Sequence, residues 1–520
     1  MRVLLISPYI TTKHDTQVLP TEPLGLLYIA TYANQEIQKK TLNISVRILD
    51  ANLGTEDACI KTERGFRSGM SDQAIEAELL DYKPDIVGVT NNFTTHLEDV
   101  LEICCLVKRI CPGSLVSIGG AHATIAHKDL VVRPEVDIVV RREGEETFWI
   151  LLTRYYDGDG LENVQGITYK DQDGFIHVND ERPIIQDIDS LPIPDRSLIQ
   201  YEKYFSSSVF NIVTRQKPIG TIFSSRGCPF NCIFCSTHKV WTNRWRGRSP
   251  ENVLEEIEYL RDTYGIKEIF FEDDQFVGSK QRIIDLCNLI IEKDMGMNFY
   301  LPPGLSPALV DEYVIDRMRK AGFYRITFSI DIGNEDINAY VKKPIKLEKV
   351  RNLIKKTNAM GMWTNATFII GYPHETEEDI QKTIDFAYSM KLDYIMFYIA
   401  QPYLGSKLYD IFVEKGLIDE THGKIHQSVV DSVCGTDMIS AERLMEIRDK
   451  AERQYFRVYL LGLLNPKYLF TEFMPKILSP IKLWYFFRLN KQVMISFLPW
   501  IMSNWIKKRK IATKDNVTAK

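Results

Sequence analysis

The chain has 520 residues, of which 45% are hydrophobic and 26% are charged, and a formal net charge of -5. This length exceeds what one hydrophobic core organises, so we expect two or three domains, and the small net charge gives no global reason to expect a nucleic-acid partner. The opening "MRVLLISPYITTKHD" turns polar too soon for a signal peptide, so the nine cysteines are expected to be thiols or metal ligands in a reducing cytoplasm rather than disulfides.

Residues 1–185 alternate apolar, β-rich runs with helical patterns. Strands are predicted at "MRVLLISP", "SVRILDAN", "DIVGVTN", "LVSIGG" and "VDIVV", with helices between them. Strands joined by crossover helices form an open parallel sheet that is covered on both faces. Such sheets bind ligands beyond the carboxyl ends of their strands, and the sequence places small and polar residues there: Ser7, Pro8, residues 50–54, residues 90–92 and residues 119–122. We therefore predict a binding edge.

A second α/β unit follows an acidic, proline-spaced stretch. That stretch contains "IIQDIDSLPIPDRSLI" and predicts an interdomain linker over residues 186–215. From residue 216 to 430 six strand-and-helix units follow, from "PIGTIFSS" to "YIMFYIA". Six such units predict an incomplete parallel barrel, whose active face lies at the carboxyl ends of its strands.

The last segment, residues 431–520, has a helical pattern and a basic tail. Eleven basic residues and one acid, Glu472, lie between Arg453 and Lys510, interleaved with "LWYFF" and "VMISFLPWIM". The prolines break these apolar runs below the ~20 residues that a membrane span needs. The tail is expected to lie on an anionic membrane, to close over a hydrophobic substrate, or to pack on the barrel as a helical cap.

Three cysteines occupy eight positions in the loop after the first barrel strand. The stretch "SSRGCPFNCIFCST" holds Cys228, Cys232 and Cys235. One interpretation is a zinc site completed by His238, although structural zinc sites normally draw ligand pairs from two separate knuckles and no second knuckle is present. The other is a 4Fe–4S cluster: three thiolates leave one iron open to an outside ligand.

The spacing Cys-x-x-x-Cys-x-x-Cys, with Phe234 just before the third cysteine, resembles the signature of the radical S-adenosylmethionine (SAM) superfamily. The resemblance implies that SAM chelates the open iron. An electron from the cluster then breaks its sulfonium C–S bond and releases a 5′-deoxyadenosyl radical, which takes a hydrogen atom from an inert position. Such chemistry requires a barrel closed to water, and an electron donor such as flavodoxin or ferredoxin.

Later segments resemble the remaining motifs of this superfamily. They are "FFEDDQF", "SIDIGNE" with Asp331 where Glu is usual, "FIIGYPHET" with His374 replacing Gly, and "QPYLGSKLYD". The resemblance implies SAM contacts from Phe234, Glu272, Asp273, Asp274, Ser329, Asp331 and Gly371. Beyond the cluster ligands, the catalytic residues stay open. Tyr372 and Tyr403, near the ends of the fifth and sixth strands, are candidates for relaying protons or electrons, or are wall residues.

The first unit resembles the cobalamin-binding domain that precedes the barrel in one radical SAM branch. The matching segments are "PLGLLYIATYA", "DIVGVTNNF", "VSIGGAHAT" and "VDIVVRREGEETF", where Arg142 replaces a usual glycine. The fold class implied is α/β: a Rossmann-like cobalamin-binding domain over residues 1–185, a partial (β/α)6 barrel over 216–430, and a helical C-terminal region. The implied cobalamin contacts are Thr90, Asn91, Asn92, Gly119, Gly120, His122, Glu143 and Gly144. A Rossmann-like domain that has lost its ligand is the alternative.

Asn52 carries a further implication of this resemblance. Cobalamin-dependent mutases carry Asp-x-His-x-x-Gly, whose histidine binds cobalt from below, whereas this chain has "DANLG" with Asn52 in that place. Cobalamin without a histidine ligand suits methyl transfer to a carbon radical in the family.

The leading hypothesis for function is therefore a cobalamin-dependent radical SAM enzyme that methylates an unactivated carbon of a small molecule, and the apolar, basic tail suits a hydrophobic substrate. An oxidative cyclase of the anaerobic porphyrin-ester type is the enzymatic alternative, and a zinc- or cluster-bearing binding protein is the non-enzymatic one. A methylthiotransferase of tRNA is disfavoured because its N-terminal cysteine triad is missing. We expect a cytoplasmic protein, with peripheral membrane contact as one role of the tail.

Overall fold

A computed structural model describes residues 1–13, 18–54, 59–205, 214–419, 434–463, 465–466, 469–470 and 474–477. Its first half alternates strands and helices: β1 (Arg2–Ser7), β2 (Ile10–Thr12), α1 (Leu24–Lys40), β3 (Ser45–Asp50), β4 (Ile60–Thr62), β5 (Gly65–Ser68), α2 (Asp72–Tyr82), β6 (Ile86–Thr90), α3 (Leu97–Ile110), β7 (Leu115–Gly119), α4 (Ala121–Ile125), α5 (His127–Val131), β8 (Ile138–Val140), α6 (Gly144–Asp157), β9 (Ile167–Lys170) and β10 (Ile176–Val178).

These strands form the predicted parallel sheet. The order is β10-β9-β8-β7-β6-β1-β3, and the five strands from β8 to β3 are parallel. Alternate side chains of β1 face opposite sides of the sheet and contribute to two separate cores. Val3 and Leu5 pack toward α1 and α6, and Leu4 and Ile6 pack toward α2 and α3. Two features differ from the prediction: an antiparallel hairpin, β9–β10, ends the sheet, and β2, β4 and β5 form a small separate sheet.

The second half begins after three single-turn 3-10 helices and carries the predicted strand-and-helix units. Its elements are β11 (Ile219–Ile222), β12 (Ser225–Arg226), α7 (Thr237–Trp241), β13 (Arg246–Gly247), α8 (Pro250–Tyr264), β14 (Glu268–Phe271), α9 (Lys280–Glu292), β15 (Asn298–Tyr300), α10 (Glu312–Ala321), β16 (Arg325–Asp331), α11 (Glu335–Tyr340), α12 (Leu347–Ala359), β17 (Trp363–Ile370), α13 (Glu377–Ser389), β18 (Tyr394–Ile399), α14 (Lys407–Glu414), α15 (Ala441–Leu463) and α16 (Met474–Ile477).

Six of these strands form the partial parallel barrel. β11, β14 and β15 pair in parallel, as do β16, β17 and β18. Single parallel bridges from Phe299 to Phe323 and from Leu305 to Phe328 connect the two sets. The apolar strand residues and the inner faces of α8, α9, α10, α12 and α13 form one continuous core. The predicted partial barrel is therefore confirmed.

The segment between the halves, predicted as a linker, is packed rather than loose. Arg196 is fully buried and its guanidinium contacts Glu22 Oε1 at 2.7 Å and Glu256 Oε1 at 2.5 Å. Tyr204 donates to Asp50 Oδ2 at 2.5 Å, and the Asp195 N–H donates to Thr31 Oγ1. Arg196 therefore contacts both halves, whereas Tyr204 and Asp195 attach the segment to the first half.

The C-terminal segment is described only in part. α15 packs against α13 and β18. Much of the predicted basic, aromatic tail, including "LWYFF" and "VMISFLPWIM", lies outside the described residues. Within the ranges given above, no helix is both long and apolar enough to cross a membrane.

Candidate active site

A cavity of about 520 Å³ lies between the carboxyl ends of the first sheet and the mouth of the barrel. One wall is formed by the sheet edge that was predicted to bind a ligand. The opposite wall comes from the barrel, with Thr221, Phe223, Ser225, Arg226, Trp241, Glu272 and Asp274. Both halves of the chain therefore contribute to one site, at the position expected for ligands of either fold.

Part of the cavity is a slot that runs down between the sheet and its helices. Leu5, Gly88 and Ser117 line it from the strands, and Ile29 and Phe148 line it from α1 and α6. A Cβ atom at Gly88 would lie 2.8 Å from Leu5 Cδ2 and 3.5 Å from Phe148 Cε2, so any side chain there would fill the slot. A ligand with a flat ring at the strand ends and a long tail in the slot would match this shape. Cobalamin is such a ligand, so the residues present fit it.

The predicted cobalamin contacts fall into two groups. Thr90, Asn92, Gly119, Gly120, Glu143 and Gly144 line the cavity. Asn91 and His122 instead lie behind it, buried in the protein. His122 Nδ1 is 2.8 Å from Thr94 Oγ1, and burial lowers the pKa of His122 to about 4, so the ring is neutral at physiological pH.

Asn52, which replaces the histidine of other cobalamin proteins, lies in the cavity wall. Its backbone N–H donates to Asp50 Oδ1 at 3.0 Å, while its side-chain Oδ1 is buried without a protein partner. Burial also raises the pKa of Asp50 to about 6, against the hydrogen bond that it accepts from Tyr204. A buried, unsatisfied amide oxygen at a cavity wall is the kind of group that a ligand or its bound water satisfies.

The cysteine loop lies at the barrel end of the cavity. Gly227, just before Cys228, has a φ of +83°, and a Cβ there would lie 2.7 Å from Arg244 O, so only glycine allows this turn. The Cys235 N–H donates to Cys232 O at 3.1 Å, so the backbone turns between these two cysteines. Burial raises the pKa of the Cys232 thiol to about 12, and a bound metal centre would favour the thiolate.

The arrangement of the three cysteines bears on the choice between zinc and a cluster. Throughout the described part of the chain, no three His, Cys, Asp or Glu side chains are close enough together to hold a single metal ion. Three thiolates from one loop, each on a different iron, would leave the fourth iron of a 4Fe–4S cube open to an outside ligand.

Beside the cysteines lies a buried lysine that sequence reasoning missed. Lys343 pairs with Asp331, and the nearby thiols of Cys232 and Cys228 add to its stabilisation. Burial would lower the pKa of Lys343, but these neighbours raise it overall, so it stays charged. A single lysine more than a hundred residues from the loop gave no sequence signal, and only the fold brings it there.

Three predicted residues lie in this cluster-side group. Asp331, at a bulge in β16 with φ +65°, also accepts from Thr367 Oγ1 at 3.1 Å. The Phe234 ring centroid is 6.0 Å from that of Tyr372 and 5.9 Å from Lys343 Nζ. Tyr372 is fully buried and its hydroxyl lacks a protein partner. The structure thus brings Phe234, Asp331 and Tyr372 to the cysteines.

The three adjacent acids at the end of β14 have different surroundings. Asp273 is buried and accepts from Ser224 N, Ser224 Oγ and Ser225 Oγ at 2.5–2.8 Å. Asp274 lines the cavity and is held by Gly227 N–H and the side chains of Thr237 and Trp241, which tie it to the cysteine loop. Glu272 lines the cavity with a buried Oε1 that has no partner in the protein. Burial raises the pKa of Glu272 to about 7 and that of Asp274 to about 6.

The remaining predicted residues make local contacts. Ser329 Oγ is 3.4 Å from Pro303 O. The Gly371 N–H donates to Glu375 Oε2 at 2.6 Å, and burial raises the pKa of the Tyr403 phenol. Glu375, the glutamate of "GYPHET", also accepts from Tyr372 N–H at 3.0 Å and therefore fixes the turn that carries Tyr372.

The chain is similar in sequence to two protein families and to named methyltransferases. A model of the radical SAM superfamily matches residues 222–387, and a model of the B12 binding domain matches residues 16–152. An uncharacterized methyltransferase of Pyrococcus horikoshii is 31% identical over 476 residues, which cover 91% of this chain and 94% of that protein. Cytidylyl-2-hydroxyethylphosphonate methyltransferase of Streptomyces wedmorensis is 28% identical and covers 87% of this chain and 90% of its own.

The fold has solved counterparts. The cobalamin-dependent SAM radical enzyme OxsB, solved with aqua-cobalamin and SAM bound, superposes with a TM-score of 0.66 at 17% identity. The match covers 96% of this chain and 72% of that one. The order of a ligand-binding sheet followed by a partial barrel is thus shared over nearly the whole chain.

Proposed function

The chain belongs to the cobalamin-binding branch of the radical SAM superfamily, and from that premise we propose that it transfers a methyl group to an unactivated carbon of a small-molecule substrate. When bound, the cluster supplies the electron that cleaves SAM, and cobalamin carries the methyl group. The observation that supports this proposal is a cavity to which both halves contribute, with the strand ends of the first sheet on one side and Val240, Trp241, Glu272 and Asp274 on the other.

Within this proposal the residues of the chain have distinct tasks. Cys228, Cys232 and Cys235 hold the cluster, and Phe234, Asp331 and Asp274 are proposed to contact SAM beside it. Thr90, Asn92, Gly119, Gly120 and Gly144 are proposed to contact the corrin. The proposed SAM contacts at Ser329 and Gly371 and the cobalamin contacts at Asn91 and His122 draw less support, since these residues use their polar groups locally or lie behind the cavity.

Two carboxyl groups in this space differ in what they can still bind. Asp273 is satisfied by two serines and supports the loop rather than a ligand. Glu272 keeps a free oxygen toward the cavity, where SAM or a hydrogen-bond donor of the substrate would satisfy it. Burial around this space also excludes water from reactive species.

The proposed reaction is also supported by the names of similar proteins. Two of the relatives are named as methyltransferases, and one of those names specifies a hydroxyethylphosphonate group as the acceptor. Flavodoxin or ferredoxin is proposed as the electron donor. Contact of the tail with an anionic membrane stays a prediction, since that part of the tail lies outside the described residues.

The proposal is tested with anaerobically reconstituted protein. It should bind a cluster and cobalamin and form both S-adenosylhomocysteine and 5′-deoxyadenosine; 5′-deoxyadenosine alone would rule out methyl transfer. A product heavier by one methylene supports methylation, and loss of hydrogens supports the cyclase alternative.

Alanine at the cysteines provides the matched test of the cluster assignment. Cys228→Ala, Cys232→Ala and Cys235→Ala should each abolish SAM cleavage while cobalamin binding survives. Cys287→Ala, a buried core cysteine on α9, is the control and should leave both intact. Retained SAM cleavage in any one of the three loop variants would contradict the assignment.

A further inference from the structure

The cysteine loop, residues 227–245, is closed at its base by a two-stranded ribbon. β12 and β13 pair antiparallel, with Ser225 opposite Gly247 and Arg226 opposite Arg246. The two arginines therefore leave the ribbon side by side, one at each end of the loop. Whatever holds both arginines also fixes where the loop begins and ends.

Both arginines bind the same glutamate of the first domain. Arg226 Nη1 lies 2.7 Å from Glu143 Oε1, and Arg246 Nη1 lies 2.9 Å from Glu143 Oε2. Arg226 also reaches Glu145 Oε1 at 2.5 Å. The four side chains are buried and carry two charges of each sign, so the group is balanced within itself.

Glu143 is at the same time part of the corrin wall. It precedes Gly144, the first residue of α6, and both residues line the cavity. Its second oxygen accepts the Ile185 N–H at 2.8 Å, so the carboxylate is fully used by the protein. A contact between Glu143 and the corrin therefore stays a prediction, while its carboxylate is bound to the ribbon and to the Ile185 N–H.

We propose that Glu143, Glu145, Arg226 and Arg246 form a positioning group that fixes the cluster loop relative to the cobalamin wall. Arg226 is two residues from Cys228, and Glu143 is next to Gly144, so the ion pair joins the segment of the cysteine loop to the segment of the cobalamin wall. Arg226 uses both of its terminal nitrogens, one on each glutamate, so its contacts fix orientation as well as distance. The inference rests on the binding of both cofactors and does not depend on methyl transfer.

General adhesion between the domains is the competing explanation, and the chain offers a control for it. Arg196 forms another buried ion pair between the halves, with Glu22 and Glu256, and is not part of the ribbon. If the positioning group acts only by holding the halves together, loss of Arg196 should have the same effect on the cofactors as loss of Arg226. If it sets the loop, the two losses should differ.

The test measures the separation of the two cofactors. Cob(II)alamin and the reduced cluster each carry one unpaired spin, so pulsed EPR on the doubly loaded protein reports their distance and its spread. Arg226→Met should shift or widen this distribution by about 0.5 Å or more, the tolerance within which active groups must be held. Arg226→Lys keeps the positive charge but loses the two-pronged guanidinium. Its distance distribution should lie between those of Arg226→Met and the unsubstituted protein.

Each outcome decides the proposal. An unchanged distribution in Arg226→Met, or equal broadening in Arg196→Met, would overturn it. Should Arg226→Met fail to fold, Glu145→Gln removes only one of the two contacts of Arg226, and an unchanged distribution there would count equally against it. A protein that binds both cofactors but transfers no methyl group would refute the proposed function and leave this inference standing.

Discussion

Glu375 provides a quantitative test of the turn that carries Tyr372. Its side chain is fully buried, one oxygen lacks a partner, and burial raises its pKa to about 7 from 4.5. A carboxyl whose folded pKa is raised binds more protons in the folded state, so wild-type stability falls as the pH rises from about 4.5 to about 7. Integrating this shift between pH 5 and pH 8 gives a loss of roughly 2.5 kcal/mol.

Glu375→Gln removes this titration while keeping an oxygen for the Gly371 and Tyr372 N–H groups. The variant should therefore gain stability relative to wild type by roughly 2.5 kcal/mol on going from pH 5 to pH 8. Urea unfolding of the apoprotein at both pH values, followed by far-UV circular dichroism and tryptophan fluorescence, measures the difference.

Glu377→Gln is the matched control two residues along the chain. Glu377 is exposed, and its pKa is lowered by its hydrogen bond with Arg443, so this variant should show no such gain with rising pH. A stability difference for Glu375→Gln that is the same at pH 5 and pH 8 would refute the reasoning.

Three further changes test other parts of the site. Gly88→Val should abolish cobalamin retention on gel filtration, because the valine side chain fills the slot. The control Gly113→Val, which has open space around it, should retain cobalamin. Equal retention by the two variants would contradict the assignment of the slot to cobalamin. Asn52→His should give bound cob(II)alamin the nitrogen hyperfine splitting of a histidine ligand in its EPR spectrum, and an unchanged spectrum would show that this wall does not face cobalt. His374→Gly should raise the free energy of unfolding by about 0.5–1 kcal/mol in thermal unfolding, because φ is +70° at this residue. The control Lys382→Gly, within α13, should lower it. Destabilisation by both variants would exclude backbone strain at His374.

The two α/β units were predictable because each repeats one local pattern. Buried parallel strands of the first sheet appear as apolar runs such as "DIVGVT", and amphipathic helices separate them. The barrel repeats the same units, with motif residues at each strand end. By contrast, β2, β4 and β5 have three or four residues each, too few for a period, and the β9–β10 hairpin departs from the parallel pattern that preceded it.

The candidate site was predictable where residues cluster in sequence and not where the fold assembles them. The cysteine loop and the "EDD" acids are local motifs, but the different surroundings of Glu272, Asp273 and Asp274 follow from tertiary contacts. Lys343 reaches the cysteines only through the approach of the segment after α11. Glu143 and Arg226 each belong to a quoted motif, yet a pairing across 83 residues left no mark in either segment.

The two positions where this chain replaces a usual glycine also became interpretable only with coordinates. Arg142 and His374 both have positive φ angles, of +61° and +70°. The backbone therefore keeps the conformation that favours glycine, although the residue has changed. Arg142 gains an ion pair with Glu181 at 2.6 Å, and His374 lies 3.2 Å from Asp437, so each replacement adds a surface contact in exchange for strain.

The packed segment around Arg196 limits how this enzyme can be recombined with its relatives. A chimera that joins a foreign corrin domain to this barrel at residue 186 would leave Arg196 and Glu256 facing whatever residue replaces Glu22. An unmatched charge buried at such a junction destabilises strongly. Exchange should succeed only when residues 186–215, Glu22 and Glu256 are transferred together, so an exchangeable unit of either half includes part of the other.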